Sequence, residues 1–187
     1  MHTSSKATIE VPLLDLRAQY DTLRAEIEPV VKDVIESQWF IGGPQVSGLE
    51  EEIARYCMVS HAVGCASGSD AITLALQALD IGPGDFVACP DYSFFSTAGS
   101  IWRLGARPLL VDIDPSTYNI DPDALAEALA SVPRDRIKAV MPVHLFGQCC
   151  DMDRVAELAT EYEVPIIEDA AQAIGSEDVH GRRAGSM

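Results

Sequence analysis

Three short segments of this chain carry groups whose type and placement could do chemistry. Ser67-Gly68-Ser69-Asp70 lies between a brief apolar run, Ala62–Ala66, and a longer one, Ala71–Leu79. Its small residues would let backbone N–H groups close on an anion, and a helix dipole favours phosphate there. Ser69 or Asp70 would equally serve as an ordinary helix cap. Pro90-Asp91-Tyr92-Ser93-Phe94-Phe95-Ser96-Thr97 places aromatics just after a strand. They could stack on a flat ligand, or Phe94 and Phe95 could be core packing. Glu168-Asp169-Ala170-Ala171-Gln172 follows the apolar run Val164–Ile167. A carboxylate at the rim of a sheet is partly desolvated and needs a cationic or hydrogen-bonding partner. Asp169 could accept a proton from a heterocyclic nitrogen, or it could cap the next helix. His144, after a further strand, either lines the same site or is packed and hydrogen-bonded.

These segments need a scaffold that brings them to one edge. Short β-branched runs alternate with helical patterns, which predicts an α/β fold with a mainly parallel sheet. Leu16, Tyr20, Leu23, Ile27, Val31, Val34 and Ile35 predict an amphipathic helix, bent or divided at Pro29. After the Gly- and Pro-rich turn at 39–44, a second helix is expected near Val46–Tyr56, then a strand at Ala62–Ala66. Ala71–Leu79 is apolar almost all round and predicts a buried helix. Strands are expected at Phe86–Cys89, Pro108–Val111 and Ile137–Val143. Helices should start after Pro90, after a cap at Asp121 with Pro122 in first place, and after a cap at Asp151. In such a sheet, ligands collect at the carboxyl ends of the strands. All three chemical segments fall there.

Composition narrows the function. The formal net charge of −16 is spread along the 187 residues. That disfavours nucleic acid, whose phosphates need clustered Lys and Arg. No stretch approaches the roughly 20 apolar residues of a membrane helix, and MHTSSKATIE has no apolar signal core, so a cytoplasmic protein is expected. The five cysteines, at 57, 65, 89, 149 and 150, form no C-x-x-C pair. They read as reduced thiols without a metal. No G-x-G-x-x-G opens a helix, which argues against a dinucleotide-binding oxidoreductase.

In order along the chain stand Val11-Pro12-Leu13-Leu14-Asp15-Leu16, Trp39-Phe40-Ile41-Gly42-Gly43-Pro44, Ser67-Gly68-Ser69-Asp70-Ala71 and Gly82-Pro83-Gly84-Asp85. Val111-Asp112-Ile113-Asp114, Tyr118-Asn119-Ile120-Asp121-Pro122 and Pro142-Val143-His144-Leu145-Phe146-Gly147-Gln148 follow. Glu168-Asp169-Ala170-Ala171-Gln172-Ala173 and Gly181-Arg182-Arg183-Ala184-Gly185-Ser186 close the series. With these motifs the chain resembles the DegT/DnrJ/EryC1/StrS aminotransferases, pyridoxal-phosphate (PLP) enzymes acting on nucleotide-linked keto sugars. The resemblance implies an incomplete large domain of the aspartate aminotransferase-like fold (fold type I), three-layer α/β/α. Residues 1–45 would be an N-terminal arm and helix, and 46–187 part of the PLP-binding domain. By the same resemblance Gly68 and Ser69 would hold the phosphate with Asp70 beside them. Phe94 would stack on the ring, Asp169 would pair with the pyridine nitrogen, and Gln172 would lie near the phenolic oxygen. Glutamate is the amino donor the family implies, and a full-length version would be a homodimer.

One departure matters. The family's Schiff-base lysine lies beyond Gly185-Ser186, and the lysines here are Lys6, Lys32 and Lys138. None matches it, so covalent attachment of PLP and transamination by this chain alone are not expected. Two other readings stay open: a PLP- or sugar-nucleotide-binding regulatory protein without turnover, and a relic of a split gene.

Overall fold

The computed structural model describes residues 11 and 13–187; residues 1–10, with Lys6, and Pro12 lie outside the description. The chain divides into two units, 1–47 and 48–187.

In the first unit, α1 (Leu16–Ser37) starts at Asp15, whose carboxylate accepts the Ala18 N–H at 3.0 Å. Pro29 lies inside α1, which runs on as one helix through it. Gln38 ends it in the left-handed conformation. Next comes α2 (Pro44–Tyr56), with proline in the first helical position, where its missing N–H costs nothing. The division between the units falls within α2.

The second unit carries the sheet. In chain order its elements are α3 (Gly68–Ala78), β1 (Phe86–Pro90), α4 (Ser96–Arg103) and β2 (Arg107–Val111), then α5 (Pro122–Ala130), β3 (Ile137–Val140) and α6 (Met152–Tyr162). The strands are parallel and ordered β2-β1-β3. Parallel neighbours need a crossover, supplied by α4 and then by α5. Side chains alternate between the two faces. Val87, Cys89, Ala139 and Met141 pack with Ile72 and Leu76 of α3 and Ile101 of α4. Ala88, Val111, Ile137 and Val140 pack with Leu125 and Leu129 of α5 and Val155 of α6. Two cores, one on each side of the sheet, make the three-layer α/β/α arrangement. Asp121 caps α5 through the N–H groups of Asp123 and Ala124, and Asp151 caps α6 through that of Arg154.

Several local expectations change. Ala62–Ala66 forms no strand, and Val63 is 82% exposed. An apolar run becomes a strand only beside a partner, and among the described residues its one backbone bond is Gly64 N–H to Glu50 Oε1. The helix over 68–78 buries one face only, with Leu74 half exposed. The helix expected after Pro90 does form, as α4 from Ser96 to Arg103. β3 ends at Val140, and 164–169 meets it only through bridges, Val140 with Ile166 and Val143 with Asp169. Pro142 and Pro165 each lack the N–H that a continuous ladder would use.

Candidate functional site

The bridge between Val143 and Asp169 fixes where the chemistry can sit. Asp169 N–H donates to Pro142 O and His144 N–H to Asp169 O, both at 3.0 Å, so Asp169 is tied to the carboxyl end of the β3 segment. Successive side chains of an extended segment point to opposite faces. Asp169 and Glu168 accordingly have different surroundings.

Asp169 borders a hollow of about 210 Å³ together with Gly68, Ser69, Ser93, Phe94 and Gln172. Drug-sized ligands occupy pockets of roughly 300–1,000 Å³, so this one suits a single ring with short substituents. Gly68 and Ser69 open α3, and a Cβ on Gly68 would meet nothing within 4 Å, so the notch is open. Ser69 Oγ lies 2.5 Å from Ser96 Oγ, the first residue of α4. Two helix starts therefore meet here with paired hydroxyls. Phe94, 71% exposed, stands at the rim. Asp169 Oδ1 accepts the Ala171 N–H at 3.2 Å, and Oδ2 accepts the Thr97 hydroxyl at 3.3 Å. Gln172 Oε1 accepts the Phe146 N–H at 2.9 Å, which leaves its NH₂ as the group available to a ligand. Phe146 has a positive φ of 55°, a strained geometry for a bulky residue that clusters at functional sites.

Asp70 is the exception among the residues read from sequence. It stands at the start of α3, but its carboxylate accepts the Ser67 hydroxyl at 3.0 Å while its N–H donates to Ser67 Oγ at 3.1 Å. This reciprocal cap takes the side chain into a different hollow, beside Cys65 and Arg103.

On the other face, Glu168 accepts from His144 Nε2 at 2.8 Å, and from the N–H groups of Gly185 at 2.7 Å and Met187 at 2.5 Å. His144 Nδ1 accepts the Cys150 N–H at 3.1 Å, so the ring proton belongs on Nε2. His144 is wholly buried and does not line the hollow. Sequence reasoning missed Asn119, which is 3% exposed. Its side chain donates to Gln148 O and accepts from Leu145 N–H, folding the loop after His144. It also gave no role to Thr97, whose signal was a hydroxyl on the buried face of a helix.

A carboxylate, an aromatic, an amide and a hydroxyl-lined anion notch around one small hollow could together receive a small phosphorylated ring. The model of the DegT/DnrJ/EryC1/StrS aminotransferase family matches residues 21–187. The chain belongs to this family. A pleiotropic regulatory protein of Geobacillus stearothermophilus is 47% identical over 179 residues, 96% of this chain and 47% of that protein. The UDP-2-acetamido-2-deoxy-3-oxo-D-glucuronate aminotransferase of Pseudomonas aeruginosa is 39% identical over 166 residues, 89% of this chain and 45% of that enzyme. The crystal structure of S. venezuelae DesV with a ketimine intermediate matches with a TM-score of 0.90 and 41% identity, over 96% of this chain and 47% of DesV. Further solved relatives of 32% and 29% identity carry pyridoxamine phosphate. The chain thus spans about half the length of the curated relatives it matches. Among the described residues no helix is long and apolar enough to cross a membrane.

Proposed function

We propose that this chain is the cofactor-binding part of a PLP-dependent aminotransferase acting on a nucleotide-linked keto sugar in the cytoplasm. Glutamate is the proposed amino donor, and a homodimer the proposed state of a full-length version. The observation that carries the reading is the shared hollow of Asp169, Phe94, Gly68, Ser69 and Gln172. When bound, the cofactor supplies an electron sink and a carrier for the amine.

The chain's own residues do the rest. Ser69, Ser96 and the free N–H groups opening α3 receive the phosphate, where the helix dipole favours negative charge. Phe94 covers one face of the ring and excludes water from it. The Asp169 carboxylate holds the proton on the ring nitrogen, with one oxygen steadied by Ala171 and the other by Thr97. Gln172, its carbonyl taken by Phe146, donates from its NH₂ to the phenolic oxygen. Lys138, the one lysine of residues 48–187, donates to Asp135 O just before the start of β3, remote from the hollow at the other end of the strand. The 187 residues alone therefore bind the cofactor without turning substrate over.

The test is calorimetric titration with pyridoxamine phosphate, which needs no lysine. The unaltered protein should bind, and Asp169→Asn or Ser69→Ala should weaken binding by roughly tenfold or more. Equal affinity in all three, or none in any, would defeat the proposal. Mixing the 187-residue chain with PLP, glutamate and keto-sugar nucleotides should yield no turnover; sustained amination would refute its inactivity.

A further inference from the structure

Asp169 is held by more than its own loop. Thr97, 1% exposed on α4, donates to Asp169 Oδ2 across 72 positions of sequence, at 3.3 Å. The same Thr97 oxygen lies 2.8 Å from Ser93 Oγ. A hydroxyl has a single proton to give and two lone pairs to receive with. An ionised carboxylate only accepts, so Thr97 spends its proton on Asp169 and Ser93 must donate to Thr97. The chain of hydrogen bonds runs one way, from Ser93 through Thr97 to Asp169.

Among the described residues, Thr97 is the helical hydroxyl that bonds a carboxylate of another element; Ser69, Ser96 and Ser100 also reach between α3 and α4, but onto a hydroxyl or a carbonyl. Helical hydroxyls commonly bond back to a carbonyl three or four residues earlier. Thr22, Ser37 and Thr73 do so, onto Gln19 O, Val34 O and Ser69 O. Thr97 instead reaches a carboxylate in another element, and it does so from a wholly buried position. We infer that Thr97, backed by Ser93, is a positioning residue for Asp169. It fixes the turn of the carboxylate, as the acceptor for a protonated ring nitrogen. The inference rests on the proposed cofactor reading and extends it to residues that do not touch the ring nitrogen.

The experiment uses the full polypeptide that the gene encodes and pyridoxamine phosphate labelled with ¹⁵N in the ring. Thr97→Val keeps the shape and removes the hydroxyl. It should weaken binding by roughly tenfold, the scale of a lost hydrogen bond to a charged group. It should also move the ring ¹⁵N resonance from the pyridinium toward the pyridine position. Thr97→Ser should restore both, and Ser93→Ala should shift the resonance in the same direction by less. A melting point lowered in Thr97→Val with a resonance still pyridinium-like means packing only, and overturns the inference. Should Thr97→Val not fold, Ser93→Ala decides: an unmoved resonance overturns the inference, a moved one supports it. Failure of the unaltered protein to bind the ligand overturns the cofactor reading itself, a result distinct from any of these.

Discussion

His144 and Glu168 meet across a 2.8 Å hydrogen bond with side chains 0% and 7% exposed, one residue away from the carboxylate that faces the hollow. Glu168 collects three donors in all, from His144, Gly185 and Met187. Glu168→Gln replaces one acceptor oxygen by a donor facing donors. It should lower stability by about 1–3 kcal/mol, the cost of leaving buried groups unpaired. Denaturant titration checks this; an unchanged midpoint and slope would show that the three bonds contribute nothing net.

The Asp121 side chain satisfies two N–H groups at the start of α5, at 2.8 and 3.3 Å. Asp121→Ala should cost about 1 kcal/mol, and Asp121→Asn clearly less, because asparagine caps as well as aspartate. Thermal melts of the two variants compare them directly.

Burial pushes the Cys89 and Cys150 thiols up from 9.0 to about 12. A raised thiol pKa means that the folded protein keeps a proton which the unfolded chain releases. This contribution is intact below pH 9 and declines as pH rises from about 9 toward 12. Alkaline unfolding should therefore ease in Cys89→Ser less than packing alone would cause at pH 7. Alkylation at pH 8 should label exposed Cys65 first and spare Cys89 and Cys150 until the protein unfolds. Early labelling of Cys89 by mass spectrometry would contradict the burial.

Hydrogen bonds from His180 and then Arg182 hold the Asp153 carboxyl below its ordinary 3.8. A lowered carboxylate pKa stabilises above the ordinary value, and the effect is lost as pH falls through the folded one. The bonds from Asp153 to His180 and Arg182, at 2.6 and 2.7 Å, should loosen below about pH 4. Amide exchange across 178–182 should speed up there, and Asp153→Asn should show the faster exchange already at neutral pH.

Phe94 is 71% exposed at the rim of the hollow. If it covers a bound ring, Phe94→Ala should weaken pyridoxamine phosphate binding roughly threefold to tenfold, the scale of an aromatic stack. Its exposure predicts almost no loss of thermal stability. A variant that loses stability but binds normally would reassign Phe94 to packing.

Local chemistry in the sequence determined the caps at Asp121 and Asp151, Pro122 at a helix start, and the alternation of apolar runs that makes an α/β unit. Those features depend on residues a few positions apart, so spacing alone reveals them. The order of motifs likewise pointed to Gly68, Ser69, Phe94, Asp169 and Gln172, although each segment by itself also read as a cap or as packing. Tertiary structure decided what spacing could not. Ala62–Ala66 lacks a strand because pairing needs a neighbour, and Asp70 turns back to Ser67 while Ser69 lines the hollow. Thr97 reaches Asp169, and His144 reaches Glu168 on the opposite face, only because parallel strands bring distant residues to one edge. A hydrogen bond between residues 72 positions apart leaves no period in the chain to read.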